Sequence, residues 1–86
     1  MWEIQLTPAA IKDLAKIDRS VAARILSILE LKIAPLADPR TLGMPLKGEY
    51  SFWRWRVGDY RIIGRVDDSR LVILVVAVGH RREIYR

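Results

Sequence analysis

The amino-acid sequence predicts an α+β fold: a compact, mainly antiparallel β-sheet with a two-helix hairpin packed on one face. Three observations lead to this prediction. Residues near the N-terminus alternate between apolar and polar, the next two segments carry apolar residues at helical spacing, and the second half alternates again between short turns. The expected order of elements is β-α-α-β-β-β, with a three-stranded meander at the end. Residues 1–86 are expected to form a single domain around one core.

The first strand is predicted between Trp2 and Leu6, because Trp2, Ile4 and Leu6 fall on one face of an extended chain. A helix is expected to follow directly. Thr7 can accept a hydrogen bond as its N-cap, and Pro8 suits the first helical position, where no backbone donor is needed. The apolar stripe of this helix consists of Ala10, Ile11, Leu14 and Ile17.

The second helix is predicted to begin after Asp18, as its cap, and to run to about Ile33, where Ala34-Pro35 stops it. Its apolar positions are Val21, Ala22, Ile25, Leu26, Ile28, Leu29, Leu31 and Ile33. This surface is wider than the stripe needed to cover one face of a sheet. Either the first helix packs against its flank, or part of the surface is left for a partner.

Residues 35–49 contain three of the four prolines and two of the five glycines, which predicts a loop. The loop is expected to be ordered, since several apolar side chains can attach it to the core. These anchors are Leu36, Leu42, Met44 and Leu46.

The stretch Tyr50 to Arg65 is predicted to form a β-hairpin around a two-residue Gly58-Asp59 turn. The expected cross-strand pairs are Val57 with Tyr60, Arg56 with Arg61, Arg54 with Ile63 and Phe52 with Arg65. One face of the hairpin carries Trp53, Trp55, Val57, Tyr60, Ile62, Gly64 and Val66. The other carries Tyr50, Phe52, Arg54, Arg56, Arg61, Ile63 and Arg65. The hairpin is therefore expected to have a core side and an anion-binding side.

The last strand is predicted from Leu71 to Val78, after a turn at residues 67–70, and its apolar character on both faces suits a central strand. Pairing Val66 with Leu71 would place Tyr60 beside Ala77. The tail would then leave the sheet at the arginine-rich end. Three tail side chains are expected to reach that face, namely His80, Arg81 and Tyr85.

The charge of the chain is unevenly distributed. The formal net charge is +5, and eleven of the fifteen basic residues are arginines. Residues 1–46 carry a net charge of +1 and residues 47–86 a net charge of +4, so the excess lies in the half that is predicted to be sheet. Arginine offers planar donors that suit phosphate oxygens, which favours nucleic acid or an acidic protein as the partner.

The composition excludes several classes of function. With no cysteine and one histidine, neither disulfides nor a conventional metal site is expected, and no cofactor is predicted. The N-terminal residues lack the pattern of a signal peptide. The longest apolar run, residues 71–78, is far shorter than the roughly 20 residues that span a bilayer. A cytoplasmic protein without membrane contact is expected.

The arginine-rich surface suits RNA cleavage without a metal, because RNA carries its own nucleophile, the 2′-OH. Arginines can stabilise the charge of the transition state, and His80 and Tyr85 are the titratable candidates for proton transfer. Alternating arginines are also typical of a solvated surface, and His80 and Tyr85 can be ordinary surface and packing residues. The residues alone indicate a basic α/β domain that binds phosphate-rich or acidic partners.

Two motifs resemble those of the RelE toxin family of bacterial and archaeal toxin–antitoxin systems. They are Trp-Arg-x-Arg-Val-Gly-Asp-Tyr-Arg at residues 53–61 and Val-Gly-His-Arg-Arg-Glu-Ile-Tyr at residues 78–85. The Thr7-Pro8 helix start and the Leu46-Lys47-Gly48 segment extend the resemblance over essentially the whole chain.

The resemblance implies a metal-independent, ribosome-dependent endoribonuclease. Many members cut mRNA codons in the ribosomal A site by attack of the 2′-OH, leaving a 2′,3′-cyclic phosphate and a 5′-OH. Arg61 matches the arginine that stabilises the transition state, Arg81 the one assigned to the leaving group, and Tyr85 the tyrosine that stacks on or orients RNA. RNA contacts are expected from Lys47, Phe52, Arg56, Arg65 and Arg82.

The sequence departs from the family at the position of the general base. Arg54 and Phe52 stand where the best-studied relatives have lysines. Arg54 remains a candidate catalytic residue, whereas Phe52 cannot accept a proton, and His80 becomes the alternative base. The family's additional C-terminal helix is also missing after Tyr85.

The resemblance also implies partners. These are a RelB-like antitoxin that wraps the toxin, the ribosome with its mRNA, and operator DNA only through the antitoxin. A second possibility is a toxin like the related ParE proteins, which share the fold but inhibit DNA gyrase. A third is an inactive toxin or a plain binding module.

Overall fold

A five-stranded mixed sheet forms one layer of the fold, and two helices cover one of its faces. The computed structural model describes residues 1–80, with the side chains of residues 49 and 50 excepted. In chain order the elements are β1 Glu3–Leu6, α1 Pro8–Ala15, α2 Arg19–Ile28, β2 Met44–Leu46, β3 Glu49–Val57, β4 Tyr60–Asp67 and β5 Val72–His80. The spatial order is β1-β5-β4-β3-β2, with β1 parallel to β5 and the other pairs antiparallel. The predicted α+β class and the final meander are confirmed.

Both helices begin where the sequence predicts. The Thr7 hydroxyl accepts a hydrogen bond from the Ala10 amide at 3.2 Å, and Pro8 is the first helical residue. The Asp18 carboxylate accepts one from the Ser20 amide at 3.2 Å. Each cap satisfies a backbone donor that has no partner within its helix.

Helix α2 continues into a π-helical turn, Leu29–Ile33, and thus reaches the predicted end. The Ala34 amide donates to the Leu29 carbonyl at 2.8 Å, and both Leu29 and Ile33 are buried. The broad apolar surface of α2 is used only in part, because Leu26 is exposed and Leu31 is 75% exposed. Part of this surface is therefore left uncovered by the described residues.

Residues 35–49 are ordered, as predicted, but they are not only a loop. A 3₁₀ helix, Pro39–Leu42, and the edge strand β2 lie within it. Two of the predicted anchors, Leu42 and Met44, are 58% exposed. The segment is held instead by buried Pro39, whose carbonyl accepts a hydrogen bond of 2.9 Å from Trp55 Nε1. A buried indole needs such a partner for its N–H, which explains why the chain passes there.

The hairpin of β3 and β4 has the predicted register. Val57 pairs with Tyr60, Arg56 with Arg61, Arg54 with Ile63 and Phe52 with Arg65. Gly58 adopts a φ of 58°, a left-handed conformation that glycine adopts without strain.

The predicted register between β4 and β5 is wrong. Val66 pairs with Ile73 rather than Leu71, and Tyr60 pairs with His80 rather than Ala77. One cause is that the connection is residues 68–71 rather than 67–70, and Leu71 in it has a φ of 54°. The other cause is a bulge between Ile63 and Gly64.

The bulge reverses the alternation along β5. Ile63 pairs with Ala77 and Gly64 with Val75, so Val76 is one residue more than β4 can pair. Before the bulge Ile73 and Val75 face the helices, and after it Val78 does. A one-residue shift moves every later side chain to the other face.

The hydrophobic core lies between the sheet and the helices. Its fully buried large side chains are Ile25, Leu29, Trp55, Ile62, Ile73 and Val75. Within residues 1–80, none of the helices has the length and apolar character needed to cross a membrane.

Candidate anion-binding site

The face of the sheet opposite the helices carries the arginines of the hairpin. Trp55, Val57 and Ile62 belong to the core, so the residues that alternate with them project to the other side. We call this surface the arginine face and define it by Phe52, Arg54, Arg56, Arg61, Ile63 and Arg65.

Arg61 has the least satisfied side chain on the arginine face. Its Nε and Nη1 atoms are buried and have no hydrogen-bond partner among the residues that the structure describes. A buried donor without a partner costs about 1–3 kcal/mol, and more when the group is charged. These two donors therefore lack an acceptor among the described residues, and an anion that reached the Arg61 guanidinium would supply one.

Arg56 lies directly opposite Arg61 in the pairing of β3 with β4. Like charges at directly opposed positions of a sheet destabilise each other. The exposed Arg56 is held by its own turn, where Nε donates to the Gly58 carbonyl at 3.3 Å. A bound anion would relieve the repulsion between the two guanidinium groups.

The third arginine, Arg54, is half-buried and touches the edge strand. Its Nη2 atom lies 3.2 Å from the Sδ atom of Met44, its register partner on β2. Sequence reasoning missed β2 and therefore missed this contact. The alternation of apolar and polar residues that reveals longer strands is absent from a three-residue strand containing proline.

Phe52 and Arg65 form a stacked pair at the other end of the arginine face. They are register partners, and the Arg65 Cζ atom lies 5.9 Å from the centroid of the Phe52 ring. This is cation–π distance. An aromatic ring beside a guanidinium is a surface on which a nucleobase can stack.

Small residues of β5 border the arginines. Gly79 pairs with Arg61, and Ala77 pairs with Ile63. Neither residue has a polar side chain that could pair with the guanidinium of Arg61. The bulge brings them to this face, because without it Val76 and Val78 would lie there.

His80 lies on the helix side of the sheet, although the sequence predicts that it reaches the arginine face. Its ring meets Tyr60 edge to face, with centroids 5.6 Å apart and planes at 82°. It borders a pocket of about 520 Å³ that also involves Asp13 and Lys16 of the first helical segment. The bulge explains the difference, and the structure does not bring His80 together with Arg61.

The remaining predicted site residues fall into two groups. Lys47 is exposed in the turn between β2 and β3. Arg81, Arg82 and Tyr85 lie outside the described residues. Residues 1–80 contain no group of three His, Asp or Glu side chains arranged to hold a metal ion.

The carboxylates with shifted pKa values lie away from Arg61. The hydrogen bond from Arg40 lowers the pKa of Asp68, and the Ser69 hydroxyl does the same for Asp67. Hydrogen bonds from Ser20 lower the pKa of Asp18. All three groups hold loops or helix ends, so the anion-binding end of the arginine face keeps its positive charge.

The chain matches the family model described as the ParE toxin of the type II toxin–antitoxin system parDE over residues 4–85. It is 30% identical to Toxin RelG of Mycobacterium tuberculosis, over 99% of this chain and 97% of that protein. Toxin RelE of the same organism is 28% identical, over 99% of this chain and 87% of the relative.

Solved structures show the same fold. The toxin–antitoxin complex RelBE2 of M. tuberculosis contains a chain that aligns with a TM-score of 0.84 at 25% identity, covering 95% of this chain and 93% of that one. The RelB–RelE complex of Methanococcus jannaschii contains a chain with a TM-score of 0.72 at 28% identity, covering 94% of both chains.

Proposed function

Since the chain belongs to the ParE toxin family and is a RelE-type toxin of a type II toxin–antitoxin system, we propose that it is a ribosome-dependent mRNA endoribonuclease. The observation that carries the proposal is Arg61, with two buried nitrogens that have no partner among the described residues. An RNA phosphate is the anion that fits this site, because arginine binds phosphate through paired donors.

The proposed reaction uses the nucleophile of the substrate. The 2′-OH of RNA gives up its proton as its oxygen attacks the adjacent phosphorus. A P–O2′ bond forms, the P–O5′ bond breaks, and the leaving O5′ takes up a proton. The products are a 2′,3′-cyclic phosphate and a 5′-OH. Negative charge builds on the phosphoryl oxygens in the transition state, where the Arg61 guanidinium would donate. Removing one such donor typically costs about 10²–10³ in rate.

The other arginines have supporting roles in the proposal. Arg54 stabilises the developing charge from the β2 side, where the Met44 contact holds it. Arg56, Arg65 and Lys47 bind the RNA backbone, and Phe52 stacks on a base. Arg81 and Tyr85 protonate the leaving group and orient the RNA, as the resemblance implies, with Arg82 as a further RNA contact.

Proton transfer is the step at which this chain differs most from the RelE family that it resembles. Phe52 has no titratable group, and His80 lies on the opposite face of the sheet. Of the two titratable candidates, Tyr85 therefore fits the proposed reaction better than His80. Productive geometry would come from the ribosome, which holds the mRNA in line for attack.

The proposed protein partner is a RelB-like antitoxin. Similar toxin chains were solved in RelB–RelE complexes. In this chain, Leu31 and Leu26 of the second helical segment are exposed beside a fold with a formal charge of +5. An acidic, amphipathic antitoxin segment fits such a surface. Contact with operator DNA would then be made by the antitoxin, and the toxin would act in the cytoplasm, where ribosomes are.

A second candidate function is inhibition of DNA gyrase, as in ParE toxins. The name of the matching family model and the replacement of a lysine by Phe52 favour it. Such a toxin does not need a catalytic arginine. The two candidates therefore differ in whether mRNA is cut and in whether Arg61 matters.

Expression without an antitoxin distinguishes them. We expect growth arrest, with mRNA 5′ ends mapping inside codons of the ribosomal A site. Arg61→Ala should abolish the cuts, whereas Arg24→Ala, an exposed arginine of α2, should leave them unchanged. Arrest with intact mRNA and broken or topologically blocked DNA would contradict the ribonuclease proposal and support gyrase inhibition.

A further inference from the structure

A second pocket opens on the outer face of the sheet, at the end far from Arg61. Its volume is about 570 Å³. Val72 and Leu74 of β5 form its apolar floor, and its walls are Gln5, Arg65 and the loop of residues 68–70. Pockets of this size hold small organic groups.

The sheet register places this pocket on the arginine face. Gln5 pairs with Leu74, Leu74 with Arg65, and Arg65 with Phe52, so the four residues form one row across β1, β5, β4 and β3. Paired residues of neighbouring strands project to the same side. The stacked pair of Phe52 and Arg65 therefore forms the edge between the pocket and the other arginines.

Hydrogen bonds fix the loop that forms one wall. The Asp67 Oδ1 atom accepts from the Ser69 amide at 3.1 Å, the Ser69 hydroxyl at 2.8 Å and the Arg70 amide at 3.3 Å. Arg40 Nη2 lies 2.6 Å from Asp68 Oδ2. The pocket is therefore built into the loop, and both carboxylates are engaged in holding it.

The charges of the lining favour a nucleobase over a phosphate. Two arginines, Arg65 and Arg70, face two aspartates, Asp67 and Asp68, so the lining is formally neutral. A phosphate would prefer Arg61 at the other end, where two guanidinium nitrogens have no partner among the described residues. A nucleobase presents a flat apolar face to Leu74 and hydrogen-bonding edges to polar walls.

The distance along the sheet fits a short piece of RNA. Arg61 and Arg65 are four residues apart on β4, which is about 13 Å at about 3.3 Å per residue. A stacked strand covers this distance in about four nucleotides, at about 3.4 Å each, and a splayed strand in fewer. A base in the pocket would therefore belong to the same RNA strand as a phosphate bound at Arg61.

We propose that this pocket binds one unstacked nucleobase, two to four nucleotides from the phosphate held by Arg61, and so positions the mRNA. The inference rests on the proposed function, and it names a substrate contact beyond the scissile site. Arg65 and Phe52 guide the strand into the pocket, and Arg70 closes it.

The test is single-turnover cleavage on ribosomes programmed with mRNAs that each carry one abasic nucleotide near the cut. With the wild type, one abasic position two to four nucleotides away should slow cleavage about tenfold, in line with the loss of one stacked base. Leu74→Trp, which fills the pocket, and Arg70→Ala, which opens its wall, should cut intact mRNA at that slower rate. In both variants the abasic nucleotide should have no further effect.

Ile11→Trp and Arg24→Ala are the matched controls, since both positions are exposed on the helices, away from the pocket. They should keep the wild-type response to each abasic position. If Arg70→Ala and Leu74→Trp respond as the wild type does, the inference is wrong while the ribonuclease proposal stands. Loss of antitoxin binding with unchanged cleavage would assign the pocket to a protein partner. A wild type that cuts no mRNA contradicts the proposed function itself.

Discussion

The surroundings of Arg61 set it apart from an ordinary arginine in a strand. An arginine in a strand is usually solvated or paired, but two nitrogens of Arg61 are buried without a partner among the described residues. Arg56 faces it across the hairpin, which adds repulsion. Both features raise the free energy of the protein without a ligand, and a bound anion would lower it. These features are therefore consistent with the ligand site that we propose at Arg61.

His80 gives a test at the same scale. Because His80 packs against Tyr60 on the helix side, we expect His80→Ala to leave the cleavage rate on programmed ribosomes within about threefold of wild type. Loss of the edge-to-face contact should lower the free energy of unfolding by about 0.5–1.5 kcal/mol. The two readouts are single-turnover kinetics and urea denaturation. A rate loss of about 100-fold or more, with unchanged stability, would restore His80 as a catalytic candidate.

At the scale of elements, the β4–β5 pairing explains which part of the site could be predicted from sequence. The Arg56–Arg61 pairing follows from Gly58-Asp59, because a two-residue turn leaves one register. The position of His80 could not be predicted from the sequence. It depends on the bulge at Ile63 and Gly64, which is determined by contacts between distant residues. The edge strand β2 was not predicted, because three residues are too few to show an alternation of apolar and polar side chains.

Gly64 tests the importance of the bulge. A Cβ atom on Gly64 would lie 2.8 Å from the Leu74 carbonyl oxygen and 3.3 Å from Trp55 Cζ3. Backbone must shift to accept it, so Gly64→Ala should lower the free energy of unfolding by about 1–3 kcal/mol. Urea denaturation followed by tryptophan fluorescence measures this, with Ser27→Ala on the exposed side of α2 as a control. A Gly64→Ala protein as stable as the wild type would show that β4 and β5 separate easily here.

The Arg40–Asp68 ion pair predicts a pH dependence. The hydrogen bond from Arg40 lowers the pKa of Asp68 in the folded protein. Its stabilising effect is therefore complete above the ordinary aspartate pKa of about 3.9 and is lost as the pH falls through the lowered value. Asp68→Asn should melt below the wild type near pH 7, and the gap should close as the pH falls through the lowered pKa of Asp68. A gap that stays constant across this range in thermal melts would contradict the assignment.

At the scale of the whole molecule, the two faces of one sheet have different tasks. The helix side holds the core, while the outer side presents arginines at one end and a neutral pocket at the other. The fold class, the hairpin and the arginine face follow from alternation in the sequence. The buried nitrogens of Arg61, which have no partner among the described residues, do not follow from it, because they depend on how β3, β4 and β5 pair. Nor does the second pocket, which forms where β1, β4, β5 and the loop of residues 68–70 meet.

The central claim is that Arg61 binds the phosphate at which mRNA is cut. It is tested most directly with purified toxin, programmed ribosomes and mRNA, by chemical analysis of the cut ends. We predict a 2′,3′-cyclic phosphate and a 5′-OH within the A-site codon, and a rate for Arg61→Ala that is about 10²–10³ lower. Arg24→Ala should cut at the wild-type rate. Intact mRNA with the wild-type protein, or equal rates for wild type and Arg61→Ala, would contradict the claim.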